Sequence, residues 1–275
     1  MDMKNVLLIT SLSVLLVACS SNKNNDEETL ADSNETSQTI DQQKINAQNV
    51  FNSIPGPSEL ADLIEQTGLD YDATLLNNPE NINKYTSDNF KAINLGVYGA
   101  DMVYTNVYAQ SQESMLYLKC VNILCRNLGV TGAFDDKTAD RLEANKENKD
   151  SLLTIVSKSF TKADEFLREN QRPGTSSLMV AGGWIEGLYL AAKVAQKSKS
   201  KRLIQKMSQQ KKSLADLISL LENAGIAGDA SFVLDGLKNL KISYENIPDN
   251  TTMTDEMLEE ISIKVLQVRA KLINV

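Results

Sequence analysis

Two acidic residues stand inside otherwise apolar stretches that also carry glycine. One stretch reads Leu95-Gly96-Val97-Tyr98-Gly99-Ala100-Asp101-Met102-Val103-Tyr104, and the other Met179-Val180-Ala181-Gly182-Gly183-Trp184-Ile185-Glu186-Gly187-Leu188-Tyr189. A carboxylate among apolar neighbours must be paired or protonated, because burial penalises its charge. Two carboxyl groups brought together could do acid–base work, as in glycoside hydrolysis. Asp101 and Glu186 would then flank a ligand in a small pocket walled by Tyr98, Tyr104, Tyr108, Trp184 and Tyr189. The competing expectation is a packing network in which each acid satisfies a hydroxyl, Lys91 or a helix terminus. Perturbed acids also occur in structural networks, so the network is the favoured expectation.

Glycine in a helix interior costs about 1 kcal/mol relative to alanine. Several in one helix need a reason, and close backbone approach supplies one. Gly183 and Gly187 lie four apart on one helical face, as do Gly96 and Ala100. The two stretches are therefore expected to cross tightly, against each other.

Other chemistry is limited by what the chain lacks. It contains no histidine, which excludes Ser-His-Asp and Cys-His catalysis and His-ligated zinc or haem. No Gly-rich phosphate loop, dinucleotide fingerprint or nucleophile elbow is present, and Asp135, Asp136 and Glu143 do not match a calcium loop. Cys120 and Cys125 would point about 140° apart on one helix, at about 100° per residue. They are badly placed for a bridge and are expected to be buried as small hydrophobes. No cofactor or metal is implied.

A basic run forms a second candidate site. Lys193, Lys197, Lys199, Lys201, Arg202, Lys206, Lys211 and Lys212 occur with no acid between Glu186 and Asp216. Such a run could meet anionic headgroups or an acidic partner. A solvated helical turn, with cations at the carboxyl end of the preceding helix, is the favoured alternative.

Helices must position these residues. A first helix is expected from about Ser37 to Ser53, stopped by Pro55-Gly56-Pro57, and a short one from the Ser58 cap to Thr67-Gly68. Tyr71 to Tyr85 reads as a structured connection. Further helices are expected from Ser87 or Asp88 to Gln110, Ser111 to Leu128, Asp135 to Asn145, Asp150 or Ser151 to Asn170, and Ser176 to Gln196, with Pro173-Gly174 as a stop. Then come three apolar seams at spacings of three and four residues: Leu203 to Leu221, Val233 to Ile247, and Met257 to Val275. They predict helices packed side by side. No period-2 segment of useful length appears, and no 34-residue repeat register fits.

The amino-terminal segment carries an address. Lys4 precedes Val6–Val17, about a dozen largely apolar residues, too few for a membrane span of about 20 but right for a signal peptide. No other stretch reads as long and apolar enough to span a bilayer. Leu16-Val17-Ala18-Cys19 follows directly and resembles the lipobox of bacterial lipoproteins. That resemblance implies lipid on the Cys19 sulfur and cleavage after Ala18. Two or three acyl chains anchor stably where one does not. Ser20 in place of Asp implies an outer-membrane destination under the Asp retention rule. Asp26-Glu27-Glu28 resembles the surface-export signal of Bacteroidota lipoproteins, with a plain solvated charge run as the equal alternative. The polar stretch after Cys19 lacks aromatic residues and reads as a disordered tether.

The body resembles an uncharacterised helical lipoprotein family of Bacteroidota. The resemblance rests on Ser53-Ile54-Pro55, Leu69 to Leu76, Tyr85, Asn94 to Asp101, Leu128-Gly129-Val130 and Ala181 to Glu186. It implies an address and a fold and brings no assigned activity.

Net charge is −8, from 28 basic and 36 acidic residues, which makes a poor general nucleic-acid binder. With 42% hydrophobic and 5% aromatic residues, the chain can build a helical core without disulfides. The expected fold is all-α, an antiparallel helical bundle or irregular helical array behind a disordered lipid tether. Residues 1–18 are expected to be the signal peptide, 19–37 the lipidated tether and 38–275 the helical domain. The expected function is a lipid-anchored accessory or scaffold protein of the outer envelope, facing the periplasm or the cell surface. It would bind an envelope protein or component, with no nucleic-acid partner. The alternative is a small-ligand binder or hydrolase using Asp101 and Glu186. A solute-binding lipoprotein ranks below both, because such folds usually contain strands.

Overall fold

The structure, a computed structural model, describes residues 63–145 and 148–274. The chain divides into two units, Met1–Thr39 and Ile40–Val275, and every described residue belongs to the second. Cys19, the signal peptide, the tether, the helix expected to end at Ser53 and the Ser58 cap lie outside the described residues. Residues 63–65 are helical and are followed by a turn that ends at Gly68, φ +65°.

The connection from Tyr71 to Tyr85 folds into two 3-10 turns, Ala73–Leu75 and Pro79–Lys84. Each is opened by a short polar side chain: Asp72 accepts from the Thr74 N–H, and Asn78 from the Glu80 N–H. Helix α1 spans Asp88–Val107, and its cap is Ser87, which accepts from the Phe90 N–H. Helix α2, Ser111–Asn127, ends where Gly129 adopts φ +70°. There the Gly129 N–H reaches the Arg126 carbonyl and the Val130 N–H the Cys125 carbonyl, the paired pattern that satisfies a helix's last oxygens. Helix α3 is Asp136–Ala144, capped by Asp135, and α4 is Lys149–Glu169. Asn148 caps α4, rather than Asp150 or Ser151. Helix α5, Pro173–Ser198, begins at Pro173 and is not held off by it. Proline is well suited to the first helical position, where its missing N–H would have had no partner.

Helices α6 (Lys201–Ser208), α7 (Lys211–Asn223), α8 (Ser231–Glu245) and α9 (Asp255–Ile273) complete the described part. The seam from Leu203 to Leu221 belongs to two helices, because the chain breaks at Gln209-Gln210. Tertiary bonds hold that break. The Tyr244 hydroxyl donates to the Met207 carbonyl at 3.2 Å, and the Met253 N–H to the Ser208 hydroxyl at 2.9 Å. Among the described residues there is no strand, and the domain is an all-α helical array.

Helix α5 is the hub. It packs most extensively on α1 and also meets α4, α6, α7 and α9, while α2 lies on α1, α3 on α4, and α8 between α7 and α9. Its composition is apolar almost all round, as expected of a core helix. By length and composition α5 could cross a membrane, contrary to the expectation from sequence. In the fold, 83% of its most apolar window is buried among the other helices.

The crossing of α1 and α5 depends on absent side chains. A Cβ built on Gly96 would overlap the Met179 carbonyl and the Gly183 nitrogen, and one on Gly182 would overlap the Ile93 carbonyl. The two glycine stretches therefore do cross against each other. Gly187 takes no part, since a Cβ there would meet nothing within 4 Å. Gly99 serves a different neighbour, the Phe160 ring of α4.

Candidate functional site

Asp101 follows Gly96 along α1, and Glu186 follows Gly182 and Gly183 along α5, so the tight crossing brings the two acids to one place. Both are 0% exposed. The third member comes from α9: Arg269, 6% exposed, donates through Nε and Nη2 to the two oxygens of Glu186, each at 2.7 Å. This two-pronged geometry suits a planar guanidinium and a carboxylate. Arg269 Nη2 also donates to the Leu75 carbonyl at 2.8 Å, and its guanidinium carbon lies 4.1 Å from the centre of the Tyr189 ring. Both Glu186 oxygens thus accept from one guanidinium.

Asp101 has no such counter-ion of its own. Its Oδ2 accepts the Asn77 backbone N–H at 3.2 Å, while Oδ1 is buried with no conventional donor. Burial first, and then the neighbouring Glu186 charge, push its ionisation well above the usual carboxylate range; Arg269 opposes this in part. A neutral Asp101 resolves the orphaned oxygen, because its O–H can donate to Glu186, which lies within hydrogen-bonding reach.

A shell of amides ties this cluster to the chain between Asp72 and Tyr85. The Asn77 side chain donates to the Tyr85 hydroxyl at 2.9 Å and to Asn94 at 3.3 Å, and it accepts from Asn81 at 2.8 Å. Asn94 donates onward to the Leu272 carbonyl at 2.9 Å. The Tyr98 hydroxyl donates to the Asn78 carbonyl at 3.0 Å. Burial holds the phenols of Tyr85, Tyr98 and Tyr189 neutral by raising their ionisation.

Of the residues expected around the acids, Tyr98 and Tyr189 do lie at the cluster. Tyr104 belongs to another group, where its ring centre is 5.8 Å from that of Tyr71 and 5.0 Å from that of Tyr108. Trp184 is buried in the core, and none of the polar contacts described for the two acids involves it. Lys91 pairs with Asp88 instead of an acid of the cluster. Arg269, Asn77 and Asn94 are the site residues that sequence reasoning missed. Arg269 left a trace: it stands four residues after Val265 and three before Leu272, on the apolar face of the last seam. A cation there needs a buried anion.

No protein-family model, curated protein or solved structure matches this chain.

The basic run spans the end of α5, the length of α6 and the first turn of α7. Lys197, Lys199, Lys201 and Arg202 are exposed, and Lys206 is half-buried. Acids from elsewhere answer several members: Lys199 pairs with Asp255, Lys211 with Asp249 and Lys212 with Asp216. Arg202 donates to Gln66 at 2.7 Å. The run is therefore a patch interleaved with carboxylates. Cys120 and Cys125 are free and buried, as expected, and burial pushes their thiols up to about 11 and about 12. Among the described residues no group of three or more acidic or thiol side chains could hold a metal ion.

Proposed function

We propose that this chain is a lipid-anchored accessory or scaffold protein of a bacterial outer envelope, whose helical domain acts by binding a protein or another envelope component. The observation that carries the choice of binding over catalysis is the state of the two acids. Both are fully buried, and Glu186 is held by both prongs of Arg269. General acid–base catalysis needs a carboxyl within hydrogen-bond reach of a substrate. The address rests on the Leu16-Val17-Ala18-Cys19 sequence behind its apolar run, and the kinship to Bacteroidota lipoproteins rests on the body residues quoted above. The exposed surface, including the basic patch and the uncovered Ile242, Ile263 and Leu266, is where a partner would dock.

Two measurements test this. Intact-mass analysis of the membrane-extracted protein should show acyl chains on Cys19, and Cys19→Ser should release the chain from membranes. Affinity capture from solubilised outer membranes should return a reproducible envelope component. An unacylated mature protein removes the address. A clean isolation without partner, together with hydrolytic activity abolished by Asp101→Asn, would favour the ligand or hydrolase alternative.

A further inference from the structure

We propose that Asp101 and Glu186 share one proton in the folded protein, and that this proton latches the segment from Asp72 to Tyr85 onto the helical core. The inference stands apart from the envelope function and would hold for this fold in any setting. Its basis is a count of charges in a sealed space. Two carboxyl groups, each 0% exposed, meet one guanidinium, and both prongs of that guanidinium are on Glu186. An ionised Asp101 would place a second negative charge beside Glu186 with an oxygen that no donor reaches. A protonated Asp101 supplies the missing donor itself.

The surroundings offer no other relief. From α5 the acid faces Glu186 and Tyr189, and from α9 it faces Arg269. From α2 it faces Tyr117 and Cys120, from its own helix Tyr98, and from the latched segment Tyr85. Arg269 is the one cation among them, and burial keeps the phenols and the thiol neutral. Helix α4 presents the Phe160 ring at Gly99, while its own ion pair, Asp164 with Arg168, is joined to Ser176.

The latch follows from what holds the segment. Neither of its 3-10 turns contains a buried residue. Outside the turns Leu76 and Tyr85 are buried, and four polar attachments join the segment to the core: the Asn77 N–H on Asp101, the Leu75 carbonyl on Arg269, the Asn78 carbonyl on Tyr98, and the Asn77 amide on Asn94. Removing the proton sets two carboxylates against each other beneath this cover. Letting the segment swing away admits water to both, at the cost of uncovering Leu76 and Tyr85.

The sign is fixed. Folding raises the Asp101 ionisation, so above the ordinary carboxylate range the folded state carries a proton that the unfolded chain has lost. Stability then falls as pH rises, by up to about tenfold in the folding equilibrium per pH unit for one proton. With no histidine in the chain, the interval from about pH 5.5 to 8 is otherwise nearly silent. The other shifted carboxyls, Asp72, Asp135, Asp229, Glu256 and Glu260, are all held low, and their titration is over below it.

The test compares the full chain with Asp101→Asn, whose amide can donate to Glu186 and accept from Asn77 without any proton uptake. Urea unfolding between about pH 5.5 and 8 should show the wild-type equilibrium falling as pH rises, by up to about tenfold per unit, and the variant nearly flat. Hydrogen exchange over residues 72–85 should accelerate with pH in the wild type relative to the variant at the same pH. Parallel unfolding curves, or equal exchange in the two proteins at every pH, overturn the proposal. Should Asp101→Asn not fold, infrared spectroscopy of the wild type with carbon-13-labelled aspartate decides: a protonated carboxyl band near neutral pH supports the shared proton, and its absence refutes it.

Discussion

The α1–α5–α9 junction and the inner faces of the α7–α8–α9 layer are both buried, yet they are built on different principles. In the layer α8 packs on α7 and α9, and Leu214, Leu217 and Leu221 of α7, Val233, Leu237, Leu240 and Tyr244 of α8, and Ile261, Val265 and Leu272 of α9 are buried. These side chains recur every three or four residues and contribute through area removed from water, about 1.5–3 kcal/mol for each fully buried aliphatic. At the junction the helices touch through glycine, and the space beside that contact holds two acids and an arginine. The layer is specified by volume. The junction is specified by backbone approach and by charge count, which tolerate fewer alternatives.

The largest expected effect belongs to the junction. Arg269→Met should leave Glu186 buried without its cation and lower stability by about 3–5 kcal/mol, measured by urea unfolding. A loss as small as that of a surface substitution would mean that the acids reach water and that the two regions do not differ in kind. In the layer, Leu237→Ala removes a residue with 0% exposure and should lower stability by about 2–5 kcal/mol with unchanged dependence on pH. Back at the crossing, Gly96→Ala drives a methyl into the Met179 carbonyl. It should lower the thermal midpoint by an amount equivalent to about 1–3 kcal/mol, because backbone has to move. Gly187→Ala, one turn beyond Gly183 on α5, should do the reverse and stabilise by about 0.5–1 kcal/mol, since nothing opposes its Cβ. Opposite signs for these two glycines would sharpen the view that only the crossing needs them. Smallest of all, Lys199→Ala breaks an exposed pair with Asp255 and should change stability by less than about 0.5 kcal/mol in the same assay.

The same contrast explains what could be read from sequence. The layer was legible because its seams carry a helical period, and caps such as Ser87 and Asp135, with the Gly129 stop, announce themselves by residue type. The break at Gln209-Gln210 was not legible. No glycine or proline marks it, and the hydroxyls that hold it, Tyr244 and Ser208, act across the fold. At the junction, glycine spacing did announce a close crossing, although it pointed to Gly187 where the structure uses Gly182. The two acids were legible as buried carboxyls. Their partner was not, since Arg269 lies 83 residues beyond Glu186 and pairing at that range leaves no local pattern. The chain between Asp72 and Tyr85 read only as a connection, because its role is performed by backbone groups at Leu75 and Asn77.

The placement of Arg269 has a temporal consequence. Asn94 waits for the Leu272 carbonyl, 178 residues downstream, and Glu186 waits for its guanidinium. Contacts of such range are slow to form and cannot close on a chain still being synthesised. The centre of this domain therefore stays open until α9 has been synthesised and has packed onto α5.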